Sequence, residues 1–337
     1  MSTFQLVRTS RVSRIGTTAV GLLFLGLAFY PLYGNDRTQV TLVEVLTYLS
    51  LAMMWNLLAG YAGLVSVGQQ GFVGIAAYSL FVFAELNPID PFLSIPLAAL
   101  VCAAISVPVA LLVFRLKGGY FAIGTWVVAE VFRLLTLEIN PLGAGSVQSL
   151  TTKNAFSGYS VEIRRDLIFF AAWVLAIGSV AVTIGVLRSR LGLALQAVRD
   201  NAEGARGLGV SLTRVRMTIW MLVAGWTGAT GALIHINSAT VTNRDAFSVA
   251  SWTALVVFIV IIGGVGSTIG PFIGVGIYWV ITEQLQKQTT WRFITLGSIA
   301  AVMAVVAPKG VAGIIQRWRK IEIFPIERRL KVNEQAD

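Results

Sequence analysis

LRSRLGLALQAVRDNAEGARGLGVSLTRVR, residues 187–216, is the one long stretch in the second half of the chain that does not read as membrane. It carries six arginines, Arg188, Arg190, Arg199, Arg206, Arg214 and Arg216. On either side lies a run of about twenty apolar residues, the length that crosses a bilayer. Within it, Leu191, Leu195, Val198, Ala202 and Ala205 recur at spacings of three and four, which marks one face of a helix. Gly209 is placed to end that helix, and Ser211 or Thr213 to cap the next. A basic amphipathic helix can lie on anionic lipid, but Asp200 and Glu203 interrupt the basic surface and favour docking into a protein groove. The stretch therefore reads as a polar insertion between spans, with a protein to meet in the cytoplasm.

Composition assigns the rest of the chain to the membrane. Hydrophobic residues make up 56% of 337 and charged residues 12%, about half the charge fraction of a soluble domain. Mean hydropathy is +0.76. The net charge of +10 sits in short clusters beside apolar runs, which excludes nucleic acid as the natural partner and makes lipid one. A single cysteine, Cys102, and a single histidine, His235, exclude a disulfide framework and a Cys- or His-based metal site.

The N-terminus resembles a signal sequence, with Arg8, Arg11 and Arg14 before the apolar stretch 15–33, but YPLYGND follows without a small-residue cleavage site. It reads as a retained first span. Further apolar segments at 41–60, 64–86, 92–114, 119–137, 167–187, 217–237, 247–264, 268–285 and 292–307 bring the expected number of helices to ten. Unpaired backbone is excluded from lipid, so such runs are helices, and the fold class is an all-α integral membrane protein. With both termini in the cytoplasm, 18 of the 26 Lys and Arg fall on the inside, as the positive-inside rule requires. The expected organisation is a cytoplasmic tail 1–14, a membrane domain 15–307 with an external loop 138–166 and a cytoplasmic loop 187–216, and a cytoplasmic tail 308–337.

An internal repeat runs at an offset of 200 residues: GLVSVGQQGFVGIAAY (63–78) over GGVGSTIGPFIGVGIY (263–278). Gly63, Val65, Phe72, Gly74 and Tyr78 match Gly263, Val265, Phe272, Gly274 and Tyr278. Duplicated, glycine-interrupted segments mark translocation pathways, which makes Gly63, Gly74, Gly263, Gly264, Gly266 and Gly270 candidate hinges; glycines that merely permit close helix packing give the same pattern. Ser66, Gln69 and Gln70 at the start of the first copy are suited either to a polar solute or to holding helices together. Glu130 and Arg133 lie three apart on one helix face and neutralise each other, lining a polar path or forming a structural pair. His235 and Asn237, at the outer end of the seventh span, are expected to reach interfacial water. No Gly-x4-Gly-Lys-Ser/Thr phosphate loop and no His-Glu-x-x-His occurs, so no enzyme constellation emerges and any nucleotide site belongs to another chain.

Several ordered elements resemble the branched-chain amino-acid permease family (LivM-like) of ABC importers. GLALQAVRDNAEGARGLGVSLTRVR is similar to that family's cytoplasmic coupling segment, with Gly192, Ala194, Leu195, Ala197, Arg199, Ala205, Leu208 and Gly209 matching. The acidic residue that opens the family's element is displaced: Ala202 stands there, Glu203 follows, and Gly204 replaces an alanine. GLVSVGQQGFVGIAAY is similar to its third-span motif, with Gln70 where histidine is common. RLKGGYFAIGTWVVAEVFRLL, IIGGVGSTIGPFIG and APKGVAGII resemble three more of its elements, and NPLGAGSVQSL stands in altered form where an external motif is expected. The resemblance implies a second homologous (LivH-like) permease subunit, two cytoplasmic ATPases that bind ATP and Mg, and a periplasmic solute-binding protein, with no cofactor held by this chain. It places ATPase coupling on Ala194, Ala197, Arg199, Asp200, Glu203, Ala205, Arg206, Leu208 and Gly209, and the chain in a bacterial inner membrane. Branched-chain or other hydrophobic amino acids are the expected cargo, with urea, short amides or another small solute as alternatives. A self-contained secondary transporter is the competing class, and Glu130 is its one credible coupling-ion residue.

Overall fold

The computed structural model describes residues 3–7, 11–87, 89–139, 148–150, 156, 158–285, 289–319 and 329–333. Helix α1 (Arg11–Ala28) stands at the edge of the bundle, touching α6, where Trp173 Nε1 donates to Phe24 O at 2.8 Å. Asn35 then caps α2 (Asp36–Asn56), its side-chain oxygen accepting from Thr38 N at 2.8 Å, as short polar side chains do at helix starts. Helix α2 runs on through a wide π-type turn, Leu57–Tyr61, and regular structure lapses until α3 (Gln69–Phe81). Helices α4 (Ser94–Val113) and α5 (Gly119–Glu138) follow, then the long α6 (Val161–Arg188), capped by Ser160.

The polar insertion forms α7 (Arg190–Asp200) and α8 (Ala202–Gly207). Helix α9 (Leu212–Ser238) leads to the one-turn α10 (Asn243–Ala246), α11 (Leu255–Gly263), α12 (Gly270–Gln284), α13 (Thr289–Val306) and α14 (Gly310–Arg319). Two small antiparallel ribbons complete the chain. Strand β1 (Thr3–Val7) pairs with β4 (Arg329–Asn333), and β2 (Gln148–Ser149) pairs with β3 (Thr240–Val241).

Helices α2 and α9 form the centre, with 83% and 78% of their apolar windows buried. Helix α9 packs along α4 and α3, and α2 along α6, α9, α11 and α12. Lipid offers no hydrophobic contrast between helices, so small residues and polar bonds hold them together. Ser50 and Thr230 hydroxyls lie 3.1 Å apart across α2 and α9, and Trp226 Nε1 donates to Ser50 Oγ at 3.0 Å. Phe72, Phe114 and Phe121 surround Trp220 edge-on, with centroids 5.7–5.9 Å away.

Among the described residues, eight helices are long and apolar enough to cross a membrane, rather than the ten expected. The two that fall short are the segments 64–86 and 268–285, the two copies of the repeat. Each begins as a glycine-rich break: α3 starts at Gln69, and α12 starts at Gly270 and spans 15 residues. A hydropathy window counts apolar side chains and does not register that the backbone has left the helix. Residues 310–319, expected in a tail, form α14 packed on α11 and α12, with Ala312 fully buried. Of NPLGAGSVQSL, residues 140–147 lie outside the described residues.

Candidate functional site

Ser189 opens the polar insertion by accepting from Leu191 N at 3.1 Å. The apolar face read from the sequence points inward: Leu195, Val198 and Ala205 are buried, Leu191 and Ala202 half-buried. The expected single helix is two helices. At Asn201 the backbone is extended, and its side-chain oxygen accepts from Gly204 N at 2.9 Å, which starts α8. Gly209 follows α8 with φ +82°, a left-handed turn that glycine adopts without a Cβ clash. Ser211 sits at the start of α9 but makes no side-chain cap bond.

The solvent side of the pair carries Leu193 (43% exposed), Asp200, Glu203, Arg206 and Leu208 (85% exposed). Ala194 and Ala197 are half-buried at the flank, and Ala205 is turned away from the surface.

Arg199 leaves this outer surface and crosses to the body of the protein. Its Nη1 donates to Gly60 O in the wide turn that ends α2. Its aliphatic stem lies beside Gly63, where an added Cβ would sit 3.6 Å from Cγ. The same Nη1 would lie 3.4 Å from a Cβ on Gly266.

Both copies of the repeat meet at this point. A Cβ on Gly60, three residues ahead of the first copy, would approach Gly266 N to 2.6 Å, so the chain leading into the first copy touches the backbone of the second. Asn56, fully buried in α2, clamps them: Oδ1 accepts from Gly266 N at 2.7 Å, and Nδ2 donates to Ser267 O at 2.9 Å. A third break joins the second copy, because a Cβ on Gly264 would meet Lys309 O at 2.5 Å just before α14. Gly263 lies against Gly270 O across the turn between α11 and α12, Gly274 against Ile259 O where the two helices pack, and Gly74 against the Phe247 ring.

Ser66, Gln69 and Gln70 are buried. Ser66 Oγ accepts from Gly68 N at 3.2 Å, and its carbonyl accepts from Trp55 Nε1 at 2.8 Å. Gln70 and Thr253 pair reciprocally, the Gln70 backbone N–H donating to the Thr253 hydroxyl at 3.1 Å and that hydroxyl donating to Gln70 Oε1. Gln69 Oε1 accepts from Thr227 at 3.2 Å, while its Nε2 has no partner among the described residues. Gln69 thus ties α3 to α9, and Gln70 ties it to the segment before α11, whereas the Ser66 side chain bonds only within its own break.

Glu130 and Arg133 form a forked pair, with Nε to Oε1 at 2.9 Å, Nε to Oε2 at 3.0 Å and Nη2 to Oε1 at 2.6 Å. Arg133 Nη1 also donates to Asn243 Oδ1 at 3.1 Å, and Asn243 Nδ2 donates back to Arg133 O and Thr136 Oγ1, each at 2.8 Å. Asn243 and Thr136 were not singled out by the sequence; Asn243 lies 110 residues from Arg133 and 107 from Thr136. The pair is 45% and 30% exposed, so it sits on the side of the bundle. His235 is buried, Nδ1 lying 2.9 Å from Gly231 O, rather than reaching water as expected. It faces the core of α9, whereas Asn237 is exposed.

A bundle of membrane-crossing helices, two broken short helices related by a repeat, and a polar helix pair anchored to their breaks define a multi-spanning transport permease. Residues 38–307 match the family described as branched-chain amino acid transport system / permease component. The chain is 27% identical over 326 residues to the high-affinity branched-chain amino acid transport system permease protein LivM of Salmonella typhimurium, covering 90% of this chain and 76% of that one. The LivM protein of Escherichia coli is 26% identical over the same coverage. The nucleoside ABC transporter permease protein NupC of Lactococcus lactis is 24% identical over 226 residues, 59% of this chain and 68% of that one. No solved structure matches. The chain belongs to the LivM-like branched-chain amino-acid ABC transporter permease family, whose members are transport subunits and not enzymes.

Proposed function

We propose that this chain is one of two different permease subunits of an importer for branched-chain and other hydrophobic amino acids. The observation that carries the substrate class is the likeness to two LivM proteins over 90% of the chain, against 59% for the nucleoside permease. In this reading both termini and the α7–α8 pair lie in the cytoplasm, and a LivH-like subunit and two ATPases complete the membrane complex. A periplasmic binding protein delivers the amino acid.

The ATPase meets the exposed side of α7 and α8. Leu193 and Leu208 supply apolar contact there, framed by Asp200, Glu203 and Arg206. Closure of the ATPase dimer moves this pair and switches the path between outward and inward access, which requires different affinities for the two states. Glu130 and Arg133 face the second permease subunit or the path rather than acyl chains, since a forked ion pair in hydrocarbon is expensive.

The test is uptake into proteoliposomes holding the full complex with its binding protein. Radiolabelled leucine should enter only with ATP inside, and isoleucine and valine should compete while uridine and urea do not. Competition by uridine or urea with none by valine would reassign the cargo.

A further inference from the structure

We propose that Arg199 is the positioning residue that carries movement of the polar helix pair into the two broken helices of the repeat. The proposal rests on the reading of α7–α8 as the ATPase contact and assigns to one side chain the link inward from it.

Three observations converge. First, Gly60 O belongs to the last turn of α2, where carbonyls lack partners within the helix, and Arg199 supplies the donor. The cation also sits at the negative end of that helix, where positive charge is favoured. Second, the side chain reaches both copies of the repeat at once, its stem beside Gly63 in the first and its Nη1, bonded to Gly60 O just ahead of that copy, packed at Gly266 in the second. A planar fork with five donors spans two backbone segments in a way a point charge does not. Third, those segments are fastened to each other by Asn56 and to the start of α14 through Gly264 and Lys309. A displacement of α7 is therefore applied where three backbone breaks meet. Arg206, one helix further on, is exposed like Arg199 but makes no side-chain bond to either break among the described residues.

This separates two tasks that lie on one short helix pair. Leu193 and Leu208 face the partner, and Arg199 faces the hinges. Loss of an outer residue weakens docking; loss of Arg199 leaves docking intact and disconnects it.

The experiment places spin labels on Gln196→Cys, on the outer side of α7, and separately on Val65→Cys, 49% exposed in the first break. The native Cys102 is buried, so labelling goes to the introduced site. The assembled complex is read with and without ATP plus vanadate. In the native background both labels should respond. With Arg199→Ala the response at 196 should persist and the response at 65 should vanish; Arg199→Lys, which keeps a cation at the Gly60 carbonyl but lacks the fork that also reaches Gly266, should restore it only in part. An unchanged response at 65 in Arg199→Ala would overturn the proposal. Silence at 196 in the native background would instead remove the docking reading, and this inference with it. Should Arg199→Ala fail to accumulate in the membrane, Arg199→Gln carries the same expectation, because it drops the charge and shortens the reach.

Discussion

Replacing Asn56 by Ala tests the junction of the two repeat copies in a way no surface mutation can. The side chain is fully buried and makes two bonds, both to backbone: it accepts from Gly266 N at 2.7 Å and donates to Ser267 O at 2.9 Å. Alanine leaves a buried N–H and a buried C=O without their partner. Each such orphan costs about 1–3 kcal/mol, so the loss is about 2–6 kcal/mol, at the high end of single substitutions. At about 2 °C per kcal/mol, the unfolding midpoint should fall by roughly 4–12 °C. The assay is thermal unfolding of the purified complex in detergent, compared at one scan rate because such unfolding is kinetically controlled. Gln196→Ala, exposed on α7, is the matched control and should stay within about 1 °C. An Asn56→Ala midpoint as close to the native value as that control would refute the claim that this amide holds the breaks together.

Replacing Glu130 alone should impair stability or transport more than replacing Glu130 and Arg133 together, since an unmatched charge inside a membrane is the costly state; equal defects in all variants would remove the ion-pair argument. Gly264→Ala forces a Cβ into Lys309 O at 2.5 Å at φ +124°, so membrane accumulation should drop, consistent with overpacking and strain of about 1–3 kcal/mol. The same change at the open, exposed Gly207 should be silent in the same immunoblot. Leu208→Glu combined with Arg206→Glu should reduce ATPase copurification while leaving the chain in the membrane; unchanged recovery would count against docking at this surface.

The inward face of the polar insertion was legible because period and burial coincide: Leu195, Val198 and Ala205 fall where the spacing put them. The break at Asn201 was less so, since the same residue fits a helix interior until its side chain is seen capping Gly204. Arg199 was singled out only as part of the coupling segment that the family resemblance implies, with nothing to say that it reaches inward. Its target lies 139 residues earlier in the chain, and no local pattern announces it. Asn56 offered a signal that went unused: an amide inside an apolar run must find a partner. The glycine repeat was visible in the sequence, yet the approach of its two copies depends on a tertiary contact between Gly60, just ahead of the first, and Gly266 in the second. Counting spans failed at those same two segments, where apolar composition continues through backbone that is not helical.

The most direct test of the docking account is photo-crosslinking from the outer side of the helix pair. Benzoylphenylalanine placed at 193 and at 208, in a complex that takes up leucine with ATP, should each give an adduct with the ATPase, and none from position 161, exposed at the start of α6 in the expected external loop. A functional complex that yields no ATPase adduct from either position would contradict it.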